Sequence, residues 1–180
     1  FPHSVGNYAA AKLAYDPDND VIYMVGEYKE DNKESTHYAH RTICMGGDRI
    51  PCAWPHDAGR GFTDGSTVAE RYKDLGLNML KEFSHFVNPE GKKTFAVMQV
   101  IEEICDRMNS GRFRVFMTCQ EFMKEKRRYK HDNGKVAKRQ DDHIIDAMHK
   151  AVMMLRFAEP DNVKRKMPIR LPSFDFFKDF

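Results

Sequence analysis

Along the chain, apolar positions recur first at the spacing of strands and then at the spacing of helices. Residues 4–15 form an extended run with small side chains, broken at Asp16-Pro17-Asp18-Asn19-Asp20. Residues 21–28, VIYMVGEY, are rich in β-branched and aromatic side chains, so the two runs predict an antiparallel hairpin turned by Asp-Pro and Asn-Asp. A helix is predicted over residues 35–45, which open with Ser and Thr as N-cap candidates and stop at Gly46-Gly47. The segment RIPCAW, residues 49–54, reads as a short buried strand running into Pro55-His56-Asp57. After a glycine-rich loop come a helix over 67–75 and a clearly amphipathic one over 94–109. Phe95, Met98, Ile101, Cys105 and Met108 form the apolar stripe of the latter. A strand at 113–117 and a short helix around 119–126 lead to Asn133-Gly134, a strong hairpin-turn signal. The last long helix is predicted over 141–157. Residues 161–180 read as a tail whose four phenylalanines are expected to pack back on the domain. This alternation of strands and helices predicts one α/β layered domain over residues 1–160.

Composition narrows the picture only modestly. A chain of 180 residues can bury a core without disulfides, and no apolar run is long enough to span a membrane. The opening FPHSVGNY has neither the basic start nor the apolar stretch of a secretory signal. The four cysteines, Cys44, Cys52, Cys105 and Cys119, form no C-x-x-C pair, so buried, reduced thiols are expected and zinc binding is disfavoured. Net charge is only +2, but residues 124–139, KEKRRYKHDNGKVAKR, hold eight Lys or Arg against two acids. Such a run is either a solvated loop or a phosphate-binding surface.

Two groups of acids could carry chemistry. Asp57 follows a strand that Pro55 ends, at the carboxyl end where open α/β sheets place their sites. In QDDHIIDAMHKAVMML, a helical spacing brings Asp142, Asp146 and His149 to one face, beside the apolar stripe of Ile145, Met148, Val152 and Leu155. Like charges at i, i+4 repel by a few tenths of a kcal/mol, which a divalent cation between them would reverse. Plainer roles remain open: Asp57 capping its own loop, and first-turn acids favoured by the helix dipole. Carboxylates from separate elements suit Mg²⁺ or Mn²⁺, and two such ions roughly 4 Å apart serve phosphodiester hydrolysis. His143 is either a partner of Asp146 that assists proton transfer or an ordinary helix histidine.

The helix start DDHIIDAMHKAVMM resembles the D-[DN]-H-x-x-D-A segment near the end of phage large-terminase nuclease domains. AWPHD is similar to the second acidic strand end of those domains, and the opening hairpin resembles their first. Together the matches span roughly residues 1–158, with relatives of podovirus headful-packaging terminases the most similar. The resemblance implies an RNase H-like fold with a mixed central sheet flanked by helices. It also implies a metal-dependent endonuclease that cuts concatemeric phage DNA with two Mg²⁺ or Mn²⁺ ions. Asp57 and Asp146 become metal ligands, with Asp142 in reserve and His143 beside them. Lys126, Arg127, Arg128, Lys130, Lys135, Lys138 and Arg139, on a basic hairpin flanking the site, are expected to contact phosphates of double-stranded DNA. Portal protein and the small terminase subunit are the implied partners, and the host bacterial cytoplasm is the implied location. The family's first catalytic aspartate would fall just before Phe1, so weak metal binding and weak cutting are expected of the chain as it stands. No G-x-x-x-x-G-K-[ST] motif occurs. The rivals are another RNase H-like nuclease, such as a resolvase, and a catalytically silent module that binds DNA or portal.

Overall fold

The computed structural model describes residues 7–59, 64–87, 91–94, 97–132, 135–137 and 140–160. Phe95, Asn133-Gly134, Lys138, Arg139 and the tail 161–180 lie outside the described residues.

The hairpin forms as its composition predicts. β1 (Asn7–Asp16) and β2 (Val21–Asp31) pair antiparallel, with a register shift between Lys12 and Leu13. In the turn, the Asp16 carboxylate accepts the backbone N–H of Asp18 and Asn19, and Asp20 takes a left-handed φ of 51°. The Asp20 carboxylate then accepts Arg107 Nη1 at 2.9 Å, Arg112 Nη1 at 2.6 Å and the Tyr15 hydroxyl at 3.0 Å. Arg107, Tyr15 and Arg112 together hold its carboxyl below the usual range, against the opposing effect of burial. That clamp ties the turn to the end of α3 (Val97–Asn109) and to β5 (Phe113–Val115).

β5 joins β2 in parallel, from Ile22 opposite Phe113 to Met24 opposite Val115. The main sheet is therefore ordered β1-β2-β5, mixed, with β1 on its edge. β3 (Phe86–Val87) with β4 (Lys93–Thr94) and β6 (His131–Asp132) with β7 (Lys135–Val136) form separate two-stranded antiparallel ribbons. The core gathers Ile22 and Met24 of β2, Val100 and Ile104 of α3, Phe122 of α4 (Gln120–Arg128), and Ile144, Ile145 and Met148 of α5 (His143–Met153). On the far side of the hairpin, α1 (Ser35–Cys44) and α2 (Val68–Asp74) pack through tyrosines. Tyr8 stacks on Tyr38 with ring centroids 4.5 Å apart and on Tyr72 at 5.8 Å. Gly47 follows α1 where no side chain fits: a Cβ there would stand 2.8 Å from Thr42 Cγ2 and 3.0 Å from the Thr42 carbonyl.

Several expectations need correction. Residues 49–54 are not a strand; Cys52 alone forms a parallel bridge with Met79. Pro51 and Pro55 supply no N–H, so the pairing stops at the bonds from Cys52 N to Asn78 O and from Leu80 N to Cys52 O. α3 begins at Val97 and buries Val100, Ile101 and Ile104, which turns Cys105 outward. Cys44 is likewise exposed and Cys52 half-buried, leaving Cys119 as the buried thiol. α1 is preceded by Glu34, not Ser or Thr, and no side chain caps it. The last helix breaks at Met154 into a 3₁₀ turn, Leu155–Phe157.

Two carboxylates, the half-buried Glu27 and the buried Glu125, organise the second half of the chain. Glu27 on β2 accepts the first amides of α4, from Glu121 at 2.6 Å and Phe122 at 2.9 Å. Glu125 on α4, 3% exposed, accepts the first amides of α5, from Ile144 at 2.9 Å and Ile145 at 3.0 Å. Its other oxygen accepts Lys29 Nζ at 2.9 Å, and Lys29 also pairs with Asp141. A helix N-terminus leaves its first amides unpaired and favours an anion there, so each acid answers a need of the next helix. Glu125→Ala strands both amides and a mostly buried Lys29. It is expected to cost about 3 kcal/mol of unfolding free energy, measured by urea denaturation.

Candidate active-site cleft

A cleft of about 1310 Å³ opens between the edge strand β1, the segment 50–58 and α5. Ala9, Ala11 and Leu13 line one wall, Trp54, His56 and Asp57 another, and His143, Asp146 and Lys150 the third. Two acids 89 positions apart in sequence (146 minus 57) thus border one space.

Asp57 sits in a 3₁₀ turn, His56–Gly59, that the preceding tryptophan secures. Trp54 Nε1 donates to Leu80 O at 2.7 Å, Trp54 O accepts Ser84 N–H at 2.8 Å, and Gly59 lies against the indole ring. Fixing the indole at both its ring and backbone sets where the turn can go. Asp57 itself is exposed at the cleft.

On α5, Asp142 is the N-cap residue, outside the helix proper, and Asp146 lies in the first turn. Burial pushes the Asp142 carboxyl above its ordinary 3.8, and the negative charge of Asp146 adds to the rise. Burial acts the same way on Asp146, but His149, Lys150 and His143 outweigh it and hold that carboxyl below its ordinary value. The two carboxyls are thus shifted in opposite directions.

The remaining predicted residues separate. His143 Nε2 accepts from Asn7 Nδ2 at 2.7 Å and lies 3.8 Å from Asp141 Oδ1, tying α5 to the start of β1. The sequence places His149 on the face of Asp146 without giving it a role, and Lys150, four positions after Asp146, is not singled out there. His149 Nδ1 comes within 3.7 Å of Asp146 Oδ1. Lys126, Arg127 and Arg128 occupy the last turn of α4 instead of the basic hairpin, and with Lys130 they are exposed. Lys135 does begin a hairpin strand.

Among the described residues, no three His, Cys, Asp or Glu side chains converge tightly enough to enclose a metal ion. Mg²⁺ commonly takes one or two carboxylates and fills the rest of its octahedron with water and substrate phosphate. Asp57 and Asp146, as hard oxygen donors on an open cleft, fit that kind of site.

Residues 3–155 match the family described as the terminase RNaseH-like domain. The chain is 35% identical over 171 residues to the terminase large subunit of Salmonella phage P22, covering 90% of this chain and 33% of that protein. To the terminase large subunit of Enterobacteria phage LP7 it is 35% identical over 148 residues, covering 81% of this chain and 30% of the relative. The chain therefore spans about a third of the length of these curated relatives. A solved structure, the P22 large terminase nuclease domain, superposes with a TM-score of 0.70 at 31% identity. It covers 88% of this chain and 87% of its own. The mixed sheet and its helices are thus RNase H-like.

The Asp142 carboxyl also governs a pH dependence. Its folded-state pKa lies above the unfolded value, so ionising it as pH rises removes stability. Asp142→Asn keeps a good N-cap residue without the charge. It is expected to melt higher than the parent at pH 7, with the gain vanishing as pH falls below the ordinary carboxylate range. Thermal melts across that pH range, without metal, measure it.

Proposed function

The chain belongs to the terminase RNaseH-like domain family, and we propose that it is an endodeoxyribonuclease that hydrolyses concatemeric phage DNA during genome packaging. What carries this reading is the cleft that brings Asp57 and Asp146 to one space from separate elements. Bound Mg²⁺ or Mn²⁺, two ions in this reading, would supply Lewis acidity at the phosphate and an activated water. The Asp57 and Asp146 carboxylates would hold the ions, with Asp142 in reserve as a third oxygen donor. Lys150, at the same wall, offers its ammonium to the incoming phosphodiester and offsets the acids' repulsion of DNA. His143, held by Asn7, lines the entrance to this wall and is available for proton transfer.

Binding of duplex DNA is assigned to exposed Lys126, Arg127, Arg128 and Lys130, continuing through Lys135, Lys138 and Arg139. Such contacts neutralise backbone phosphates and carry little sequence information. In the parent protein the same reading extends to portal protein and small terminase subunit as partners, in the host cytoplasm. The lack of a closed three-ligand cluster among the described residues favours one second reading, a module that binds DNA without cutting it.

Plasmid nicking with Mn²⁺ separates the two. Nicking by the parent chain should fall by about 100-fold or more in Asp57→Ala and in Asp146→Ala, beyond the 10–100-fold typical of residues that only support a ligand. Duplex binding should survive both changes. No nicking by the parent, with binding intact, supports the silent module; equal nicking by parent and both variants refutes the cleft assignment. Replacing Arg127, Arg128 and Lys130 together by Ala should flatten the slope of log affinity against log salt by about 2.7, roughly 0.9 per phosphate contact. Fluorescence anisotropy across a salt series reads that slope.

A further inference from the structure

His149 stands on the core side of α5, 3% exposed, beside buried Ile145, Met148 and Val152. Its Nδ1 is buried and has no hydrogen-bond partner. Native interiors rarely leave a ring nitrogen in that state, because the loss of water is uncompensated. An apolar side chain would fill the same position without that cost, so packing alone gives no reason for an imidazole here. The nearest charged group recorded for it is Asp146, whose Oδ1 lies 3.7 Å from Nδ1, roughly 0.5 Å beyond hydrogen-bond range. The two residues are i and i+3, on adjacent turns of one helix face. Asp146 lines the cleft, and His149 does not.

We propose that His149 is a positioning residue for Asp146. With its proton on Nδ1 it donates to Asp146 Oδ1 when a divalent cation engages the carboxylate, leaving Oδ2 for the ion. An aspartate 54% exposed on a helix surface samples several rotamers, and a donor fixed in the core selects one of them. The gap of 3.7 Å closes by a small χ rotation of Asp146, with no movement of the buried ring. This inference rests on the reading of Asp146 as a cation ligand.

The test uses the full chain and Mn²⁺ alone, with affinity read by isothermal titration calorimetry and folding by metal-free melts. His149→Phe keeps a ring but cannot donate; it should melt at or above the parent, since an unpartnered polar atom is gone. Its Mn²⁺ affinity should fall by about 10–100-fold, whereas His149→Asn, whose amide N–H falls near the Nδ1 position, should stay within about threefold of the parent. Should His149→Phe not fold, His149→Gln takes its place, because its amide reaches toward the Nε2 position and should lose affinity where Asn keeps it. Parent-like Mn²⁺ affinity in His149→Phe, or equal affinities for Asn and Gln, overturns the inference. Asp146→Asn distinguishes the two levels. If it loses Mn²⁺ while the His149 variants do not, the cleft reading stands and the positioning role falls. If it too binds like the parent, both fall.

Discussion

The carboxylate of Glu125 is the interaction on which the second half of the fold depends. A buried charge is tolerated only when its partners replace water, and Glu125 has three: Lys29 Nζ and the amides of Ile144 and Ile145. Each partner lies on a different element from α4, so satisfying one acid fixes β2, α4 and α5 relative to one another. Glu27 does the same one step earlier, holding the start of α4 against β2. The sheet thus positions α4, and α4 positions α5. Asp146 stands at the cleft because the first turn of α5 is pinned where Glu125 reaches it, whereas Asp142, the N-cap residue, does not line the cleft.

The opposite wall is set by different means. β1 is an edge strand, and beside it the chain from Ile50 to Ala58 runs without forming a ladder, since its prolines withhold donors. Trp54 takes over the work of the missing hydrogen bonds through its indole N–H, its carbonyl and its ring. The turn carrying Asp57 leaves that anchor directly. A wall built from a packed tryptophan and a wall built from a capped helix then face each other. This is how residues remote in sequence come to border one cleft. At the start of α5 the charges are unequal: the histidines and Lys150 favour ionised Asp146, while burial and Asp146 itself oppose ionised Asp142.

Much of the frame was legible in the sequence wherever one local signal dominated. The Asp-rich turn, the β-branched run 21–28, the antiparallel pair β6–β7 and the helix stop before Gly46 all appear as the residues suggest. The family resemblance, too, rests on residues now seen in the cleft. What escaped was long-range. A buried Glu125 inside the run KEKRRYK reads as one more surface charge, because its partners come from residues 29 and 144–145. The apparent strand 49–54 is apolar enough to pair but is denied donors by Pro51 and Pro55. Cys105 fits a helical stripe by spacing, yet the stripe turns toward Val100 and Ile104 once β2 and α5 claim that face. His149 showed its face but not its burial, which only the packing of α5 reveals.

Crystals soaked in Mn²⁺ and measured for anomalous scattering test the central claim most directly. The account predicts an anomalous peak in the cleft, within coordination distance of both the Asp57 and the Asp146 carboxylates. A peak held by one of them alone, or manganese bound only elsewhere on the molecule, would contradict it.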